Sequence, residues 1–297
     1  MFFLIVSIFF MWAMALSMRL SSQKADPLAL TSISRIIAGA VIGSLAIFST
    51  PWGDFGHLWA STGTHIVIGT LCFWLAGFTS LKAVSTGPLG ITWTVVRLSM
   101  VLPTVASIFY WLEIPVSMRE PLFVLRVSGL AFAVTAVVLI GIRNSSKTTD
   151  LTKTHQPLLP WALWLAGAFL SQGTWEVVLR ASGSLPDDAS RSFFISMVFA
   201  GAMILSIPIL LTFRPKIGKS ECSFGMLVAI CSLLASGMRP WALKSLPGTV
   251  VFPVTAITVT LLVLLSGRLV WKERLGVWGS LGAVAALLSI LLLTMNV

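Results

Sequence analysis

Charge is what this sequence has least of. Asp, Glu, Lys and Arg make up only 10% of its 297 residues, where a water-soluble domain carries roughly 25%. So little polar surface cannot cover a soluble particle of this size, so lipid must solvate much of the exterior. Cysteine is also sparse. Cys72, Cys222 and Cys231 are odd in number and widely spaced, which excludes a disulfide framework or a thiolate metal site and leaves small buried hydrophobes. His57, His65 and His155 are isolated from one another, so no histidine cluster offers itself to a metal. The motifs of enzymes are missing too. Without a P-loop the chain does not hydrolyse ATP, and it has no HExxH, GxSxG or paired-cysteine signature. We therefore expect no enzyme, no cofactor and no metal, with any energy coming from an ion gradient or from exchange.

What the sequence does have is apolar runs. They fall near 1–18, 28–49, 64–81, 88–112, 122–142, 158–180, 192–213, 222–243, 249–270 and 275–296. At roughly 20 residues per crossing, these predict ten transmembrane helices in an all-α polytopic membrane protein. The twenty Lys and Arg residues outnumber the ten Asp and Glu. They are scattered singly through short breaks, which suits the setting of membrane topology and not the binding of nucleic acid. Twelve tryptophans against one tyrosine fit indole rings at a membrane interface.

The longest polar break, Arg143–Gln156, divides the chain. It predicts a first five-helix unit over 1–143, a linker over 144–157 and a second unit over 158–297. The two units share landmarks. Ser80-Leu81-Lys82 closes the third span and Trp111-Leu112-Glu113 the fourth; Ala242-Leu243-Lys244 closes the eighth and Trp271-Lys272-Glu273 the ninth. The Lys-to-Glu separations are 31 residues (82 to 113) and 29 residues (244 to 273). A duplicated unit with an odd number of spans must enter the membrane upside down the second time. Inverted repeats of that kind build a central site able to open to either side.

With these strings in view, the chain resembles the EamA-type members of the drug/metabolite transporter superfamily. The resemblance runs through Leu81–Pro88, Trp111-Leu112-Glu113, Ala242–Gly248 and Trp271–Gly276. It implies a secondary transporter, an exporter of a small metabolite such as an amino acid or drug-like compound, in a bacterial inner membrane, as monomer or homodimer. It also implies a cavity lined by the first four helices of each half, with the fifth and tenth helices peripheral. A flippase of a lipid-linked intermediate and a non-transporting scaffold subunit are the alternatives. On orientation two rules disagree. Arg119, Arg126, Arg180, Arg191, Arg239 and Lys244 flank even-numbered spans, and Arg35 and Arg97 lie within spans. The other twelve Lys and Arg follow odd-numbered spans. The positive-inside rule then puts both termini outside the cytoplasm, whereas the resemblance implies both inside.

Ionisable residues deep in a span are costly and mark function by default. Arg97, in the fourth span, has Trp93 and Thr94 one turn earlier, a setting for an anionic or polar aromatic substrate; the alternative is a structural pair with a carboxylate elsewhere. Gln172, Glu176 and Arg180 follow at four-residue intervals in the sixth span, with Trp175 beside them. They read either as a polar cavity stripe, with Glu176 a site for a coupling proton, or as a Glu176–Arg180 pair near the helix end. Arg239, before Pro240, completes the candidate substrate-binding set. Arg35 reads as a structural or snorkelling residue. Gly39 and Gly43 form a GxxxG that predicts a close helix contact, and Pro103, Pro208 and Pro253 predict interrupted helices. Thr50–Thr62 falls between the second and third apolar runs; it is aromatic and free of Lys and Arg, where many members of the family the chain resembles have a basic loop.

Overall fold

The structure, a computed structural model, describes residues 1–21, 25–49, 55–86, 96–112, 121–146, 158–270 and 277–294. Every described element is a helix: α1 Phe2–Ser21, α2 Pro27–Ser49, α3 Phe55–Thr86, α4 Val101–Phe109, α5 Pro121–Ser146, α6 Leu158–Gly183, α7 Asp188–Phe213, α8 Lys219–Gly237, α9 Arg239–Ser245, α10 Gly248–Val270 and α11 Val277–Thr294. Among the described residues, five segments are long and apolar enough to cross a membrane: Phe2–Ser21, Pro27–Ser44, Phe55–Thr86, Asp188–Phe213 and Lys219–Ser245. Val96–Phe109, Val127–Ala136, Gly248–Val263 and Ser280–Ser289 are shorter apolar stretches.

Side chains are distributed as lipid solvent demands. Leucine, isoleucine, valine and phenylalanine side chains face outward along whole helices: Val67, Ile68, Leu71 and Leu75 on α3, Ile204, Ile207 and Leu211 on α7, Leu281, Val284, Leu287, Leu288 and Leu291 on α11. A soluble monomer rarely exposes apolar patches beyond a few hundred Å². Meanwhile Arg35, Arg97, Glu176 and Arg239 are buried. The chain is an all-helical bundle with the exterior of an integral membrane protein.

Polar residues at the breaks set the helix starts. Asp26 caps α2, its Oδ1 accepting from the Leu28 and Ala29 N–H groups at 2.8 and 3.0 Å, and Pro27 takes the first helical position, where no N–H is needed. Glu221, in the first turn of α8, accepts from the Gly218 N–H at 2.9 Å and the Asp26 N–H at 3.4 Å, joining the starts of α2 and α8. Asp187 caps α7 by accepting from the Ser190 N–H. That hydrogen bond holds its carboxyl below the usual carboxylate range.

Several expectations change here. Residues 55–62, ahead of the third apolar run, are the first two turns of α3, which is 32 residues long. The eighth span is two helices, α8 and α9, broken at Met238 ahead of Pro240. Pro103 does accompany an interruption. Just before it, the Ser99, Met100 and Leu102 N–H groups reach back three residues, to Val96, Arg97 and Ser99; Pro103 has no N–H for the Ser99 carbonyl, which accepts from Leu102 instead. Pro208 and Pro253 instead lie inside continuous helices.

The helices pair across the two halves of the chain. α3 packs on α6, α1 on α8 and α9, and α2 on α7; α2 also meets α8, and α3 meets α7. α4 sits between α6 and α10, and α5 lies along α11, where the Ser289 hydroxyl donates to the Gly129 carbonyl at 2.6 Å. Glycines set the closest approaches. A Cβ on Gly39 would fall 2.5 Å from the Phe199 carbonyl oxygen and one on Gly43 3.3 Å from the Ala200 Cβ. The GxxxG is thus the α2–α7 crossing. Trp74 Nε1 donates to Ser206 across α3 and α7, and Trp12 Nε1 to Ser266 across α1 and α10, both at 2.9 Å.

Candidate functional site

One buried polar cluster lies where these helices converge. Glu176 projects from α6 seven residues before its C-terminal end and is 6% exposed. Its Oε1 accepts from Gln172 Nε2 at 2.9 Å, a bond between successive turns of one helix. Its Oε2 accepts from Arg239 Nη1, and the second nitrogen of that guanidinium meets the Met11 sulfur. Arg239, 3% exposed, opens α9, so the break at Met238 is what carries its side chain to α6.

Arg97 lies immediately before the Ser99–Leu102 interruption and is 9% exposed. It faces the same space, attracted by Glu176 and repelled by Arg239. Arg35, 5% exposed, enters from α2. Its guanidinium lies 3.6 Å from the Phe73 ring centre, and Nη2 donates to the Phe73 carbonyl at 3.2 Å. Gly77 makes room for it, since a Cβ there would stand 2.7 Å from Nη2.

These side chains line two adjoining cavities of about 30 and 50 Å³. Both include Met11, Val96, Arg97, Gln172, Glu176 and Arg239. The smaller reaches Phe252 and Thr255 on α10; the larger reaches Arg35, Trp175 and Ser236. Such volumes hold a few waters and are too small for a metabolite. Neither α5 nor α11 contributes a described lining residue.

Arg97, Gln172, Trp175, Glu176 and Arg239 thus meet in one place, whereas Trp93 and Thr94 lie outside the described residues. Of the alternatives open for Glu176, the partner across the bundle is Arg239; Arg180 lies with its guanidinium 4.9 Å from the Trp111 ring centre. Arg35, assigned from the sequence to a structural or snorkelling role, also lines the larger cavity. The signal available was its position in the interior of an apolar span, the same that singled out Arg97. Met11 and Ser236 carry no sequence signal. Among the described residues no cluster of His, Cys, Asp and Glu could hold a metal ion.

At the end of the bundle where α7 begins and α9 ends, Asp188 accepts from Lys244 Nζ at 3.2 Å and from Arg191 Nη1 at 2.5 Å. Lys244, one of the repeated landmarks, thereby ties α9 to α7. Glu113, Trp271 and Glu273 lie outside the described residues.

Neither a protein-family model nor a curated protein sequence matches the chain. Its fold does match solved structures. One, described only as "Crystal structure of protein", superposes with a TM-score of 0.68 at 17% identity, covering 99% of this chain and 96% of that one. At that identity the likeness is one of fold.

Proposed function

We propose that the chain is a secondary transporter of a small metabolite, built as ten spans in two inverted five-helix repeats of the EamA type. The observation that carries this reading is a small, charged cavity lined by helices of both halves. A scaffold subunit has no use for buried arginines around an internal space, since each costs several kcal/mol of desolvation unless compensated.

The packing supports the repeat. Exchanging α1, α2, α3, α4 and α5 for α6, α7, α8–α9, α10 and α11 turns the α3–α6 contact into α8–α1 and the α2–α8 contact into α7–α3. The same exchange turns α4–α6 into α10–α1 and maps α2–α7, α4–α10 and α5–α11 onto themselves. Interchange of this sort is what a two-fold relation between halves produces, and alternating access follows from it. The interruption beside Arg97 and the α8–α9 break at Arg239 put irregular backbone at the cavity, a setting in which a membrane tolerates it.

The test is flux. Purified protein in proteoliposomes should move a small solute, and Arg97→Ala should abolish that flux or change which solute is moved. A protein that moves nothing across a broad panel of metabolites is not a transporter. Unchanged flux in Arg97→Ala would remove Arg97 from the site.

A further inference from the structure

The transporter reading leaves the substrate's chemistry open. The charges around the cavity narrow it, in an inference that rests on that reading. Three guanidinium groups line the space, Arg35, Arg97 and Arg239, against one carboxylate among the described residues, Glu176. Among its described residues the chain offers little else to balance them. Of its ten acidic residues, Asp26, Asp187, Asp188 and Glu221 stand at helix starts. Asp54, Glu113, Glu120, Asp150 and Glu273 fall in sequence between described helices. Of the described acidic residues, only Glu176 lies in a helix interior.

The donors are also underused. Nε and Nη1 of Arg35 and Nε of Arg239 are buried and donate to no described group. A buried charged donor without an acceptor is among the costliest polar groups a fold can hold. What relieves it is a ligand with two or more anionic oxygens, which a guanidinium fork binds in bidentate fashion.

We infer that the cavity is an anion site. The carboxylate or phosphate headgroup of a small solute docks on Arg35, Arg97 and Arg239, and Glu176 is the built-in anion with which it competes for Arg239. Glu176 keeps part of the positive charge compensated when no solute is bound. The incoming headgroup takes over that role, so loaded and unloaded states remain tolerable in a low-dielectric interior.

The experiment uses the full chain in neutral detergent and reads its melting temperature at fixed ionic strength. The anionic probes are pyruvate, 3-phenylpropionate and inorganic phosphate; 3-phenylpropylammonium is the cationic match for the second. Saturating anion should raise Tm by about 3 °C or more, with no rise from the cation. Arg35→Gln should remove the response. Glu176→Gln, by deleting the competitor, should lower the half-saturating anion concentration by about tenfold, the factor for one moderate charge interaction. Where Arg35→Gln does not fold, Glu176→Gln and the anion–cation comparison decide. No anion response in the wild type, an equal response to the cation, or an anion affinity that Glu176→Gln leaves the same or weakens would overturn the proposal. A short-chain phosphatidic acid beside phosphate separates a lipid headgroup from a free solute. Anion stabilisation without flux of any solute would keep the site and remove the transporter; flux of cations or neutral solutes without anion stabilisation would do the reverse.

Discussion

Replacing Arg239 by Met tests whether the buried ion pair holds the α6–α9 contact by electrostatic compensation. Arg239 and Glu176 are exposed by only 3% and 8% at their side chains, so neither partner has water to fall back on. Removing Arg239 leaves Glu176 hydrogen-bonded by the Gln172 amide, with Arg97 the remaining cation that attracts it. Breaking a buried pair in this way costs roughly 3–5 kcal/mol, whereas removing both charges together is often close to neutral. At about 2 °C per kcal/mol for a chain of this size, Arg239→Met should lower Tm by about 6–10 °C. The double variant Glu176→Gln/Arg239→Met should recover most of that loss, a coupling of about 2 kcal/mol or more. The assay is unfolding in detergent followed with a thiol-reactive dye, since Cys231 is buried and Cys72 half-buried and both become reactive only as the bundle opens. Cys222, exposed in the folded protein, is replaced beforehand to remove background. A double variant as unstable as the sum of the two single ones would refute compensation between Glu176 and Arg239.

Glycine contacts give a contrast. Gly39→Ala must push its Cβ against the Phe199 backbone and should cost about 1–3 kcal/mol, while Gly237→Ala meets nothing within 4 Å and should gain up to about 1 kcal/mol in helix propensity; thermal melts of the two variants should move in opposite directions. Ser289→Ala deletes the bond to the Gly129 carbonyl and should cost about 1 kcal/mol, with the same melt as readout and no effect on flux. Pro103→Ala restores an N–H able to reach the Ser99 carbonyl; helix content by circular dichroism should stay or rise while flux falls, and unchanged flux would show that the interruption beside Arg97 is dispensable. Asp187 has its carboxyl pKa held down in the folded state, so its capping contribution is present above the unfolded value of about 3.9 and is lost as pH falls through the lower folded one. Asp187→Asn keeps the cap and should flatten that part of the acid limb in a pH series of melts.

The sequence alone reached the solvent class of this protein, because a bilayer-exposed helix must be apolar whatever its neighbours are. Ten percent charge and runs such as 192–213 leave no soluble solution. It also reached most helix positions, and it singled out Arg97 and Glu176, since burying an ionisable group in a span carries a penalty that composition makes visible. It misjudged α3, whose first two turns contain His57, Ser61 and Thr62 and so lack the apolar signature of a span. It also ran α8 and α9 together, as apolar content continues through the break at Met238.

Partners were beyond its reach. Glu176 stands one helical turn from Arg180, and local spacing favoured that pair; the tertiary structure gives it Arg239 instead, 63 residues on. Arg35 gave the same signal as Arg97, yet only the fold, through the ring of Phe73 and the gap left by Gly77, turns it into the cavity. A linear pattern records which residues are costly to bury. Which of them share one dry space depends on how helices far apart in sequence cross, and that is decided by side-chain fit at contacts such as Gly39 on Phe199.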